Sequence, residues 1–120
     1  MAVLDTEQDR FVCGATSVVE LRGEIDIATA EAAYTKISAA VGSGCAVVDL
    51  SAVEFIDASG VNALVRAVHR ATAARHHLTL ACPPRQLVRI LDVLSLHQVL
   101  PIRADLPSAV AEHGARAATR

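Results

Sequence analysis

The chain has 120 residues, 52 % of them apolar, and a formal net charge of −2 at neutral pH. That length fits one domain with a real core, and with only Phe11, Tyr34 and Phe55 as aromatic residues the core must be built from Val, Leu, Ile and Ala. The near-zero charge argues against bulk binding to nucleic acid or anionic membrane, and no apolar run approaches the roughly 20 residues that span a bilayer.

The first residues, Met1 to Glu7, are acidic and lack the basic and apolar regions of a secretory signal, so a cytoplasmic location is expected. Residues 1–9 are expected to be a flexible segment or an edge strand. Arg10–Cys13 reads as a strand, Gly14–Ser17 as a turn and Val18–Arg22 as a second strand, an arrangement that predicts an antiparallel hairpin. Gly23–Asp26 is an acidic loop before a helix from Thr29 to Val41. Gly42-Ser43-Gly44 stops that helix, because glycine takes the left-handed C-terminal position without a Cβ clash.

Cys45–Leu50 is a continuous apolar run, the pattern of a strand covered on both faces. A short acidic loop follows, then an amphipathic helix from about Ser59 to Arg75. Leu78–Cys82 is the next strand. Pro83-Pro84 ends it, and Leu87, Ile90, Leu91 and Leu94 give the following helix a buried stripe at i, i+3, i+4 and i+7. Val99–Ile102 can form an edge strand, where Pro101 is tolerated. One more helix begins after Asp105, and residues 113–120 are expected to be a disordered tail.

The order β-β-α-β-α-β-α-β-(α) predicts a single α/β domain over residues 10–112. Its sheet is mixed, mostly parallel and four- to five-stranded, and right-handed crossovers place the helices mainly on one face. The other face is then thinly covered, which conflicts with strands as apolar as Cys45–Leu50.

Cys13, Cys45 and Cys82 are odd in number and far apart, with no C-x-x-C spacing, so they read as buried thiols of a reduced protein and not as a zinc site. His69, His76, His77 and His97 read as solvated, with no metal set among them. Arg66, Arg70, Arg75, Arg85 and Arg89 lie on separate helices without interleaved aromatics, which fits a solvated surface better than a nucleic-acid site. No metal or cofactor is expected.

Ser59 is the residue around which a function can be built. At about 100° per residue, Val61, Leu64, Val65, Val68 and Thr72 fall on one side of its helix, the core stripe. Asn62, Ala63, Arg66 and Arg70 share the Ser59 side, an exposed polar-to-basic strip. The first amide groups of a helix lack intrahelical partners and favour an anion, and either Asp57 or Ser59 can cap them. Ser59 is then a plain cap, a phosphate acceptor or a nucleophile. Local sequence favours the cap. A nucleophile is disfavoured, because Asp57-Ala58-Ser59-Gly60-Val61 lacks the leading glycine of a nucleophile elbow and no histidine is placed beside it. No catalytic set is read from the sequence.

Three segments together resemble the sulfate transporter and anti-sigma factor antagonist (STAS) domain family, most of all its free-standing antagonists. They are Val18–Asp26, then Val47–Ser51 running on through Phe55–Gly60, and the Leu78–Leu80 strand with the Leu87–Leu94 helix. The resemblance implies a regulatory protein that binds an anti-sigma factor with Ser/Thr kinase activity and thereby releases a sigma factor. It implies that the kinase phosphorylates Ser59, which ends binding, and that a Ser phosphatase reverses this. It also implies that Glu24, Asp26, Asp57, Ser59, Gly60, Asn62 and Arg66 meet the partner, and that the free protein is a monomer. Ala58 stands where many members carry a second hydroxyl, and Asn62 where a small residue is common. An alternative within the family is a scaffold or accessory subunit of a signalling complex or of a lipid or anion transport system.

Overall fold

The computed structural model describes residues 16–96 and 98–118. The strand expected at 10–13, Cys13 and His97 lie outside the described residues. Four strands and four helices alternate: β1 (Thr16–Ile25), α1 (Ala30–Ser43), β2 (Cys45–Ile56), α2 (Ala58–Ala73), β3 (Leu78–Ala81), α3 (Arg85–Leu94), β4 (Ile102–Arg103) and α4 (Leu106–Ala118). The strands line up in sequence order and every pair among them is parallel.

β2 is flanked on both edges, and Cys45 to Val48 are all buried, as their unbroken apolar run requires. Both long strands exceed the expected spans. β1 begins at Thr16, and β2 runs through Ser51–Glu54, the stretch read as a loop, because pairing with Arg22 to Ile25 carries it on. β4 is shorter than expected, only Ile102–Arg103, with Pro101 contributing its carbonyl to Leu80 N. The outward carbonyl of Ile102 accepts from the guanidinium of Arg103 at 2.8 Å, which blunts that edge.

Alternation sorts the strand residues between two faces. Val19, Leu21, Ala46, Val48, Leu50 and Leu80 face one side and form the main core with α1, α2 and α3. Val47 and Ala81 face the other side and meet Ala109 of α4, with Cys82 and Leu106 beside them. The last helix thus covers the central strands on the face the crossovers leave bare, which removes the conflict raised by the apolar strands. Asp105 caps it, accepting from Ser108 N at 2.8 Å. The helix continues to Ala118, past the boundary expected at residue 112, and His113 is buried with its Nε2 2.9 Å from Thr79 Oγ1.

Three local expectations are corrected. Gly44 ends α1 in an extended conformation (φ 176°), not a left-handed one. His77 is fully buried, not solvated: its backbone N–H donates to Cys45 Sγ at 3.2 Å where β2 and β3 start side by side, and α4 covers its ring, with His113 edge-on at 6.2 Å between centroids. The buried arc of α2 includes Ala63, Ala67 and Ala71, whereas Thr72 is exposed and returns its hydroxyl to Val68 O. This helix packs along α1 as well as on the sheet, so its buried side is wider than a single stripe, and alanine permits the close approach.

Candidate functional site

The parallel strands β1 and β2 end side by side, with Ile25 opposite Ile56. The carboxyl ends of parallel strands are where α/β folds place their ligands and partners, since the connecting loops gather there. β1 reaches this end through two register shifts, between Glu20 and Arg22 and between Gly23 and Glu24. Gly23 sits at φ +76°, a region that L side chains rarely occupy, and the irregularity turns the chain out toward Glu24.

Residues 24–30 are closed by their own hydrogen bonds. Asp26 Oδ1 accepts from Ala28 N at 2.9 Å and Thr29 N at 3.2 Å. Thr29 Oγ1 donates to Glu24 O at 2.7 Å and accepts from Asp26 N at 3.0 Å. Asp26 O takes Ala30 N at 2.8 Å, leading into α1. An Asp and a Thr three residues apart, each bonding the backbone beside the other, hold the loop without help from a core.

The second loop is a single residue. Asp57 leaves β2 with its backbone N–H donating to Ile25 O at 3.2 Å, so the two loops are joined. Its side chain caps α2: Oδ1 accepts from Ser59 N at 2.9 Å and Gly60 N at 3.1 Å. The helix starts at Ala58 and Ser59 lies in its first turn. Ser59 is half-exposed, and among the described residues its hydroxyl makes no hydrogen bond. The capping role that local sequence offered to Ser59 is filled by Asp57.

Gly60 is buried, and a Cβ there would lie 2.6 Å from Ile25 O and 2.6 Å from Ile56 Cγ1. Only glycine lets the first turn of α2 close onto the ends of β1 and β2. Its contribution to the site is therefore spacing, not a side chain offered to a partner.

The structure brings Glu24, Asp26, Asp57, Ser59 and Gly60 together at one end of the sheet. Asn62 is exposed one turn further along α2. Arg66 is turned toward α1: Nη1 is 3.0 Å from Glu31 Oε1, and the guanidinium lies 4.1 Å from the centroid of the Tyr34 ring. The hydrogen bond from Arg66 holds the Glu31 carboxyl below its usual range. Ala63, placed on the Ser59 strip by the helical wheel, is buried. The sequence reading passed over Thr29, which it took as the helix start, and Ile27, which is 84 % exposed at the tip of the first loop. The Asp-x-x-Thr spacing was the available signal for Thr29. Among the described residues, no group of His, Cys, Asp or Glu is arranged to hold a metal ion, and no helix is long and apolar enough to cross a membrane.

Comparison with solved structures finds the same fold in a putative anti-sigma factor antagonist from Thermotoga maritima, with 22 % identity, TM-score 0.68, and coverage of 79 % of this chain and 86 % of that one. The unphosphorylated form of the anti-sigma factor antagonist SpoIIAA is similar, with 20 % identity, TM-score 0.64, and coverage of 82 % and 90 %. The murine anion transporter Slc26a9 also matches, with 19 % identity and TM-score 0.72; 87 % of this chain aligns with only 18 % of that one. No curated protein sequence matches the chain. The family model of the STAS domain covers residues 5–109. With that match spanning most of its length, and with the parallel sheet, loops and helix start described above, the chain belongs to the STAS domain family.

Proposed function

We propose that this protein is an anti-sigma factor antagonist whose binding to an anti-sigma factor with Ser/Thr kinase activity is ended by phosphorylation of Ser59 and restored by a Ser phosphatase. The observation that carries this reading is the Ser59 hydroxyl, half-exposed and unbonded, in a helical turn whose capping Asp57 already performs. Such a hydroxyl can accept a phosphoryl group without any native hydrogen bond being lost. A phosphate adds about −1.5 to −2 charges at the positive end of α2, which the helix tolerates. It also adds a bulky group beside Asp57, on a surface a partner has to fit closely around a bare hydroxyl. The effect falls on docking, not on folding.

The test is incubation of the purified protein with a candidate anti-sigma kinase and ATP, followed by mass mapping. Label on Ser59, absent from Ser59→Ala, supports the reading, and Ser59→Asp is expected to lose kinase binding. Label elsewhere, or full binding by Ser59→Asp, counts against it. A second reading is an accessory subunit of a transport system, favoured by the likeness to the Slc26a9 domain. Affinity purification recovering a transporter component instead of a sigma regulator would support it.

A further inference from the structure

We propose that Ile27 is the apolar anchor of the partner interface, seated in an aliphatic socket of the partner that is ringed by Lys or Arg. This rests on the reading that a kinase docks at Ser59. Isolated apolar residues on a surface are ordinary, but Ile27 differs in two respects. It is the most exposed large apolar side chain described, at 84 %. The backbone on both sides of it is fixed by Asp26 and Thr29, so it is held out from the loop tip and has no route to fold inward. A side chain ordered before binding loses little freedom when it is buried by a partner.

Its position puts it at the proposed site. Ile25, two residues earlier, accepts from Asp57 N and packs against Gly60, so the Ile27 loop and the Ser59 turn form one surface. The surroundings set the partner's chemistry. Glu24 is exposed and Asp26 and Asp57 are half-buried, while Arg66 on the same side is paired with Glu31. Of the other cations near Glu24, Arg22 pairs with Glu20 and Lys36 donates to Glu20 O. The three carboxylates of Glu24, Asp26 and Asp57 therefore leave the rim net negative, and the complementary surface is a positive one around an apolar centre.

The experiment uses the full chain and the kinase that labels Ser59 in the preceding test. It measures the dissociation constant, and the KM and kcat of Ser59 phosphorylation. Ile27→Ser is expected to raise both the dissociation constant and KM by about tenfold or more, the scale of losing one buried aliphatic side chain. Its kcat and thermal stability should stay unchanged. Ile27→Leu should recover most of the affinity. Val93→Ser, at a 75 % exposed valine near the far end of α3, should match wild type. Glu24→Lys should slow association at low ionic strength by about threefold or more. Wild-type affinity in Ile27→Ser overturns the anchor, and undiminished association in Glu24→Lys overturns the positive rim, in both cases with Ser59 still labelled. A wild-type chain that neither binds nor is labelled overturns the antagonist reading itself, and the anchor with it.

Discussion

One oxygen of Asp57 accepts the backbone N–H of Ser59 at 2.9 Å, and that bond separates two roles that share three residues of sequence. The carboxylate secures the helix, and the hydroxyl is left to solvent. Asp57→Ala should lower stability by about 1 kcal/mol, the usual loss on removing an N-cap, while Ser59→Ala should stay within about 0.5 kcal/mol of wild type. Thermal or urea unfolding of the two variants measures this. A larger loss from Ser59→Ala would show that the hydroxyl is structural.

Gly60→Ala introduces a Cβ 2.6 Å from a backbone oxygen and from a core isoleucine. Relief requires α2 to move away from the ends of β1 and β2. The expected loss is about 1–3 kcal/mol, in the range of overpacked cores. Because the Ser59 turn moves too, phosphorylation should slow in parallel. Unfolding midpoints together with initial labelling rates test both halves.

On the opposite face, Ala109 is fully buried against Val47 and Ala81. Ala109→Leu should displace α4 at a cost of about 1–3 kcal/mol. Amide exchange would show faster opening of α4 and little change in α2.

Cys82 is partly exposed at the end of β3, yet its thiol is held above the usual range, first by burial and then by the charge of Asp49. The folded state therefore favours the protonated thiol, and alkylation near pH 8 should be slower than for an unfolded chain. Asp49→Asn removes the second cause and should speed alkylation at that pH. A rate of modification unchanged by the substitution would contradict the assignment.

Glu31 titrates below its ordinary value of 4.5 because Arg66 hydrogen-bonds its charged form. The contribution of this pair is therefore present above the unfolded pKa and fades as pH falls through the folded one. The pair is at the surface, so the effect should be small and weakened by salt. Unfolding of Glu31→Gln and wild type compared from pH 7 to pH 3 should converge at the acid end.

Much of this protein is set by local chemistry and was legible from the chain alone. The unbroken run Cys45–Val48 required a central strand, the spacing of Leu87 and Leu91 fixed the buried side of α3, and Asp105 marked the start of α4. Leu94, expected on the same stripe as Leu87 and Leu91, is instead 53 % exposed at the end of α3. The parallel order followed from the alternation of strands and helices. The sequence also narrowed the functional question to the hydroxyl of Ser59.

What it left open depends on groups distant along the chain. Whether Asp57 or Ser59 caps α2 turns on the angle at which the helix leaves β2, and Ile25 O fixes that angle by taking Asp57 N. Gly60 is required only because β1 lies against it. His77 and Ala63 are buried because α4 and α1 arrive from elsewhere in the sequence, and a helical wheel or a turn motif contains neither neighbour. The exposure of Ile27 has a local origin instead: Asp26 and Thr29 spend their polar atoms on the loop itself, so an apolar side chain that composition alone would send inward is left standing in water.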